Sequence, residues 1–113
     1  MNRTLRILFW LSVAFSFVMA TLPHPPPMPG EPADKVQHMV AFATMSALAA
    51  LAFPRVALLR IGIALSAFGA FIEFVQMIPM LHRDAELLDW IADSAAIGVV
   101  LGIAAMARRA RTN

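Results

Sequence analysis

The chain has 113 residues, of which 60% are hydrophobic and 14% are charged, and its mean hydropathy is +0.73. This length allows one domain, and this composition is typical of integral membrane proteins. The net charge is only +2 and the basic residues stand at the ends of apolar runs, which excludes nucleic-acid binding. Cysteine is absent, which excludes disulfides, thiolate nucleophiles and cysteine-based metal sites.

Four apolar segments predict four transmembrane helices, because a span needs about 20 apolar residues. We therefore expect an all-α, polytopic membrane protein whose single domain, residues 1–113, is a compact bundle of four helices. The predicted spans are 7–22, 36–53, 61–80 and 87–107, of which the alanine-rich second is the weakest in hydropathy. Alternatively, the first segment is a signal peptide cleaved after Val18-Met19-Ala20, which would leave the orientation of the other spans unchanged.

The distribution of basic residues predicts the orientation of the chain. Seven of the nine Lys and Arg residues fall on one side of the predicted membrane, and only Lys35 and Arg83 fall on the other. Because basic loops stay in the cytoplasm, both termini are expected there. The predicted location is the bacterial inner membrane. The seven are Arg3, Arg6, Arg55, Arg60, Arg108, Arg109 and Arg111.

The third span carries polar residues on one helical face. Gly62, Ser66, Gly69, Glu73 and Gln76 follow one another at spacings of 4, 3, 4 and 3 residues. Small residues on such a face let another helix approach closely. A carboxylate in an apolar span costs about 2.5–3.5 kcal/mol on insertion, which makes it a functional-site candidate. Glu73 is therefore expected to face other helices rather than lipid.

The fourth span shows two faces. Glu86, Asp89, Asp93 and Ala96 follow at spacings of 3, 4 and 3 residues and predict an acidic face at the outer end, where Trp90 suits the interfacial aromatic belt. A second face of small residues predicts a helix–helix contact along the span. Its members are Ser94, Gly98 and Gly102.

A polar pocket is expected where these outer ends meet. Asp34 and His38 form an i, i+4 pair at the start of the second span, so they share a face. A histidine beside carboxylates permits acid–base catalysis, and His38 and Glu73 are the predicted catalytic residues. The predicted binding residues are Asp34, Lys35, Gln76, Arg83, Asp89 and Asp93.

No cofactor and no metal site are predicted. Imidazole and carboxylate groups can hold a divalent metal, but the sequence has no HExxH motif and no glycine-rich phosphate loop.

The ordered set of these motifs resembles the VanZ-like membrane proteins. The matching elements are D34-K35-x-x-H38, E73-x-x-Q76, Arg83 in a short loop, and D89-x-x-x-D93, within about residues 34–104. The resemblance implies a compact four-helix membrane protein with a loose link to resistance against glycopeptide antibiotics such as teicoplanin. Three features depart from the family pattern: Phe42 stands where a Tyr is usual, Asp93 stands where an Asn is usual, and Gly98 and Gly102 are displaced from the usual places of the last-span glycines.

Several functions are compatible with this pattern. The first is a binding or accessory protein for membrane lipids, a lipid-linked envelope intermediate or an amphiphilic drug. The second is a small enzyme that uses His38 and Glu73 on such a molecule. A purely structural polar network is a third, and a transporter is the least favoured, because the inner halves of the spans carry few polar residues.

Overall fold

A computed structural model describes residues 3–21, 33–78 and 87–112, excluding the side chains of 33–35 and 112. It contains four α-helices: α1 (Arg3–Thr21), α2 (Ala33–Ala52), α3 (Leu58–Gln76) and α4 (Leu87–Thr112). The helices pack into one bundle, so the predicted all-α, four-helix fold is confirmed.

Three of the four helices are long and apolar enough to cross a membrane: α1, α3 and α4. The apolar part of α2, Val36–Ala52, is shorter. Helix α2 makes its most extensive contacts with α4 and α1, and it carries the largest share of the core. A helix covered by protein needs small residues for close packing more than it needs lipid-like ones. Its buried hydrophobic residues are Phe42, Met45, Ala49, Ala50 and Ala52.

The observed helix ends differ from the predicted spans. Helix α1 begins at Arg3 and α4 continues to Thr112, so both include the arginines predicted to flank them. Helix α3 ends at Gln76, and residues 79 and 80 of its predicted span lie outside the described part of the chain. The arginine stems can pack along the helices while their charged groups reach water, which is why hydropathy misses these turns.

Side-chain contacts show which helix ends lie together. The rings of Phe9 and Phe53 lie 5.5 Å apart, which brings the start of α1 to the end of α2. Arg108 near the end of α4 bonds the Val56 carbonyl in the α2–α3 turn. This basic end holds the seven arginines of the positive-inside pattern. The amide of Gln76 bonds the Ala20 carbonyl, which places the other ends of α1 and α3 together at the acidic end.

The predicted packing face of α3 is confirmed at Gly69. Gly69 is buried, and a Cβ added there would lie 3.3 Å from Cζ of Phe42 and 3.5 Å from Cδ1 of Trp90. One glycine therefore contacts both α2 and α4. The face continues toward the basic end, where a Cβ on Gly62 would lie 3.1 Å from Cδ1 of Leu101.

The predicted packing face of α4 is wrong for its two glycines. A Cβ added at Gly98 or Gly102 would meet nothing within 4 Å. The buried side of α4 instead carries Asp93, Ile97 and Leu101. Small residues permit close approach but do not require it, so the larger apolar side chains of α4 decide which face is buried.

Substitution of the two differently placed glycines tests this packing. Gly69→Leu is expected to lower the folded yield and the thermal unfolding midpoint in detergent, because overpacking costs about 1–3 kcal/mol. Gly98→Leu makes the same chemical change in open space, and its free energy of unfolding is expected to stay within about 0.5 kcal/mol of the wild-type value. Equal losses from both substitutions would contradict the assigned faces.

Arg108 forms hydrogen bonds between helices at the basic end of the bundle. Its Nη1 donates to the Val56 carbonyl at 2.8 Å, and its Nη2 donates to the carbonyls of Ala50 and Phe53 at 3.0 and 3.2 Å. The last carbonyls of a helix have no intrahelical partner, so a cation there satisfies them and complements the helix dipole. The half-buried Arg108 thus links α4 to the end of α2.

Loss of the guanidinium should weaken this end of the bundle. Arg108→Ala is expected to lower stability by about 1–3 kcal/mol, because hydrogen bonds to charged groups are the stronger ones. Arg111→Ala removes the same charge from an exposed position on α4 and serves as the control. Thermal unfolding of the two purified variants measures the difference, and a control as unstable as Arg108→Ala would refute a specific role for Arg108.

Candidate functional site

Three ionisable side chains from three helices meet in the bundle. His38 lies on α2, Glu73 on α3 and Asp93 on α4, and one potential ligand atom of each lies within 4.8 Å of the others. His38 and Glu73 are half-buried, and Asp93 is only 3% exposed. The predicted convergence of these three residues is therefore present in the structure.

The packing described above brings the three side chains together. Phe42 follows His38 by one turn of α2, and Gly69 precedes Glu73 by one turn of α3; these two residues touch. Trp90, one turn before Asp93 on α4, lies against the same glycine. Each member of the cluster thus has an interhelical packing residue one turn away on its own helix.

The register of α3 and α4 is set by two polar contacts. The indole nitrogen of Trp90 donates to the Ser66 carbonyl at 2.9 Å. The hydroxyls of Ser66 and Ser94 share a hydrogen bond of 2.9 Å. Since side chains lean toward the N-terminus of their own helix, Glu73 and Asp93 on these antiparallel helices lean toward one another. The two carboxylates meet although their backbones lie at different depths.

The sequence assigned Trp90 to an interfacial aromatic belt, and its principal contact was missed. Trp90 is half-buried, and its ring packs on Gly69 while its N–H is satisfied by the Ser66 carbonyl. A buried indole needs such a partner. The position of Trp90 one turn before Asp93 was the available signal for an interior contact. It could not identify the contact, because the hydrogen-bond acceptor is a backbone atom on another helix.

Gln76 adds a buried amide at this end of the bundle. It lies one turn after Glu73 and is 2% exposed. Its Nε2 donates to the Ala20 carbonyl of α1 at 2.7 Å, so α1 supports the site through this residue. Its Oε1 is buried and has no hydrogen-bond partner among the described residues.

The remaining predicted binding residues divide into two groups. Asp89 is half-buried, one turn before Asp93 and outside the three-residue cluster. The side chains of Asp34 and Lys35 and the whole of Arg83 lie outside the described residues, as does Glu86. Their predicted place in the pocket stays a prediction.

The three ionisable side chains of the cluster lie partly or fully buried between the helices. Among the side chains that the structure describes, every Arg lies toward the basic end, away from this cluster. His38, Glu73 and Asp93 each interact with another group. An imidazole and two carboxylates within 4.8 Å of one another can exchange protons through one bridging water or substrate atom.

A shallow apolar groove lies elsewhere, at the basic end between α2 and α4. Leu51, Pro54 and Ile103 line it, with Arg108 and Arg111 at its margin. None of its lining residues belongs to the predicted site. The groove exposes apolar side chains of the kind that face lipid. Because the ionisable side chains gather elsewhere, the cluster of His38, Glu73 and Asp93 is the candidate site.

Comparison with protein-family models, with curated proteins and with solved structures finds no match for this chain.

Proposed function

We propose that this protein is a small integral membrane protein of the VanZ-like type that binds or modifies a lipid or another amphiphile of the cell envelope. The convergence of His38, Glu73 and Asp93 within 4.8 Å, from three different helices, is the observation that supports it. Three ionisable groups gathered inside an apolar bundle are costly, and such groups in membrane proteins generally serve function.

The exterior near the cluster favours an amphiphilic ligand. Phe74 on α3 is 71% exposed and Leu87 at the start of α4 is 70% exposed. Exposed apolar side chains of this size suit acyl or prenyl chains. The polar cluster, half-buried at His38 and Glu73, suits a head group. A molecule with both parts, such as a lipid-linked envelope intermediate or an amphiphilic drug, matches both surfaces.

A second candidate is catalysis on the same kind of molecule. His38 would accept a proton from the attacking group and Glu73 would donate one to the leaving group, with Asp93 and Gln76 orienting the substrate. The spacing of up to 4.8 Å between the groups leaves room for one reacting atom between them. Turnover that is lost in His38→Ala while binding persists would favour the enzyme.

We place the protein in the bacterial inner membrane, with both termini in the cytoplasm and the cluster toward the outer leaflet. The gathering of seven arginines at the end opposite the cluster supports this orientation. Four crossings require α2 to span as well, which its central packing permits. A role in tolerance of glycopeptide antibiotics follows only from the VanZ-like resemblance.

Cysteine labelling tests the orientation, because the chain has no cysteine of its own. Single cysteines at Pro26 and Asp84 are expected to react with a membrane-impermeant maleimide in intact cells. Cysteines at Pro54 and Arg109 are expected to react only after the membrane is permeabilised. The reverse pattern would place the cluster toward the cytoplasm.

The functional role of Glu73 can be separated from a structural one. Lipid profiles and teicoplanin susceptibility are compared in cells with no protein, wild type, Glu73→Gln or His38→Ala. Wild type is expected to change the profile, and Glu73→Gln to restore the no-protein profile at normal folded abundance, because it keeps shape and removes charge. Arg60→Gln, an exposed charge removal at the basic end, is the control.

Two outcomes would count against this function. If the loss of effect only follows the loss of folded protein, the cluster is a structural network. If Glu73→Gln is fully active at normal abundance, Glu73 has no functional role.

A further inference from the structure

We propose that His38, Glu73 and Asp93 together bind one divalent cation. They offer one imidazole nitrogen and two carboxylate oxygens, all within 4.8 Å of one another. These are common metal-ligating groups in proteins. The inference goes beyond the proposed function, because the site holds a cation whether or not an amphiphile is the ligand.

The distances between the three potential ligand atoms are close to those between atoms that coordinate one metal ion. Ligand atoms at about 2.1 Å from one metal lie about 3.0–4.2 Å from each other. Small side-chain rotations close the difference from 4.8 Å. The three ligands stand on separate helices that are fixed by the Phe42–Gly69 contact and by the Trp90 and Ser66 bonds, so the backbone need not move.

The charge of the cluster also favours a cation. When Glu73 and Asp93 are both ionised they carry two negative charges, and the described arginines lie at the far end of the bundle. A divalent cation offsets both charges within the low-dielectric interior. An ion held by the three side chains therefore gives the two carboxylates a counter-charge that the described arginines do not supply.

Gln76 provides an independent observation. The residue is only 2% exposed. Its buried Oε1 has no hydrogen-bond partner among the described residues. It lies one turn after Glu73 on the same face of α3. A buried amide oxygen without a donor costs free energy, and a cation or a water bound to that cation would satisfy it.

The donor set indicates which cations fit. Mixed nitrogen and oxygen ligands suit Mn²⁺ and Zn²⁺, whereas Mg²⁺ and Ca²⁺ prefer oxygen alone. Three protein ligands leave coordination positions open for water or for an anionic oxygen of a ligand. No metal site was predicted from the sequence, because motifs such as HExxH place ligands on one helix and this cluster takes one ligand from each of three.

Titration of the purified full chain in detergent, without added lipid, tests the cation site. After treatment with EDTA and its removal, Mn²⁺ binding is measured by loss of the free-ion EPR signal and Zn²⁺ binding by calorimetry. One ion per chain with micromolar affinity is expected for wild type. His38→Ala, Glu73→Gln and Asp93→Asn are each expected to weaken binding at least tenfold, which corresponds to about 1.4 kcal/mol.

Gln37→Ala is the control, because it removes an exposed polar side chain next to His38 and outside the cluster. It is expected to change the affinity less than twofold. Absence of saturable Mn²⁺ and Zn²⁺ binding to folded wild type would overturn the proposal, and so would equal losses from Gln37→Ala and His38→Ala. Because no lipid is present, a failure here leaves amphiphile binding standing, and a failure of the lipid experiments leaves the cation site standing.

Discussion

The close contact at Gly69 is the constraint on which the site depends. Phe42 of α2 and Trp90 of α4 both lie against this glycine of α3, and any side chain there would meet Phe42 at 3.3 Å. Without a Cβ, the three helices approach closely enough for side chains one turn away to come within 4.8 Å of one another. Those side chains are His38, Glu73 and Asp93. In lipid the hydrophobic effect does not drive helices together, so such close packing and the hydrogen bonds beside it carry the association.

The polar contacts differ between the two ends of the bundle. At the basic end, Arg108 bonds three main-chain carbonyls, of which that of Ala50 lies at the end of α2 and the other two lie in the α2–α3 connection. At the acidic end, Gln76 links α3 to α1, while the ionisable groups of three helices lie within 4.8 Å of one another. The first arrangement satisfies backbone groups. The second gathers titratable side chains from three helices.

Much of the fold could be predicted from local pattern. The four apolar runs, the interior face of α3 through Gly69 and Glu73, and the separation of basic from acidic ends all follow from spacing along single helices. What could not be predicted depends on pairs of helices. Gly98 and Gly102 resembled a packing stripe, yet they face open space because the larger Ile97 and Leu101 determine the buried side. The role of Trp90 depends on a backbone carbonyl of α3, which no residue pattern on α4 reveals.

The central claim, that His38, Glu73 and Asp93 form one cluster, is tested most directly by solid-state NMR in lipid bilayers. Distances are measured from the ring nitrogens of His38 to the carboxyl carbons of Glu73 and Asp93. With ligand atoms within 4.8 Å and a carbon–oxygen bond of about 1.2 Å, both carbons are expected within about 6 Å of a ring nitrogen. The Phe42–Gly69 contact, observed in the same sample, verifies the bundle. A visible Phe42–Gly69 contact without either carboxyl contact to His38 would contradict the account.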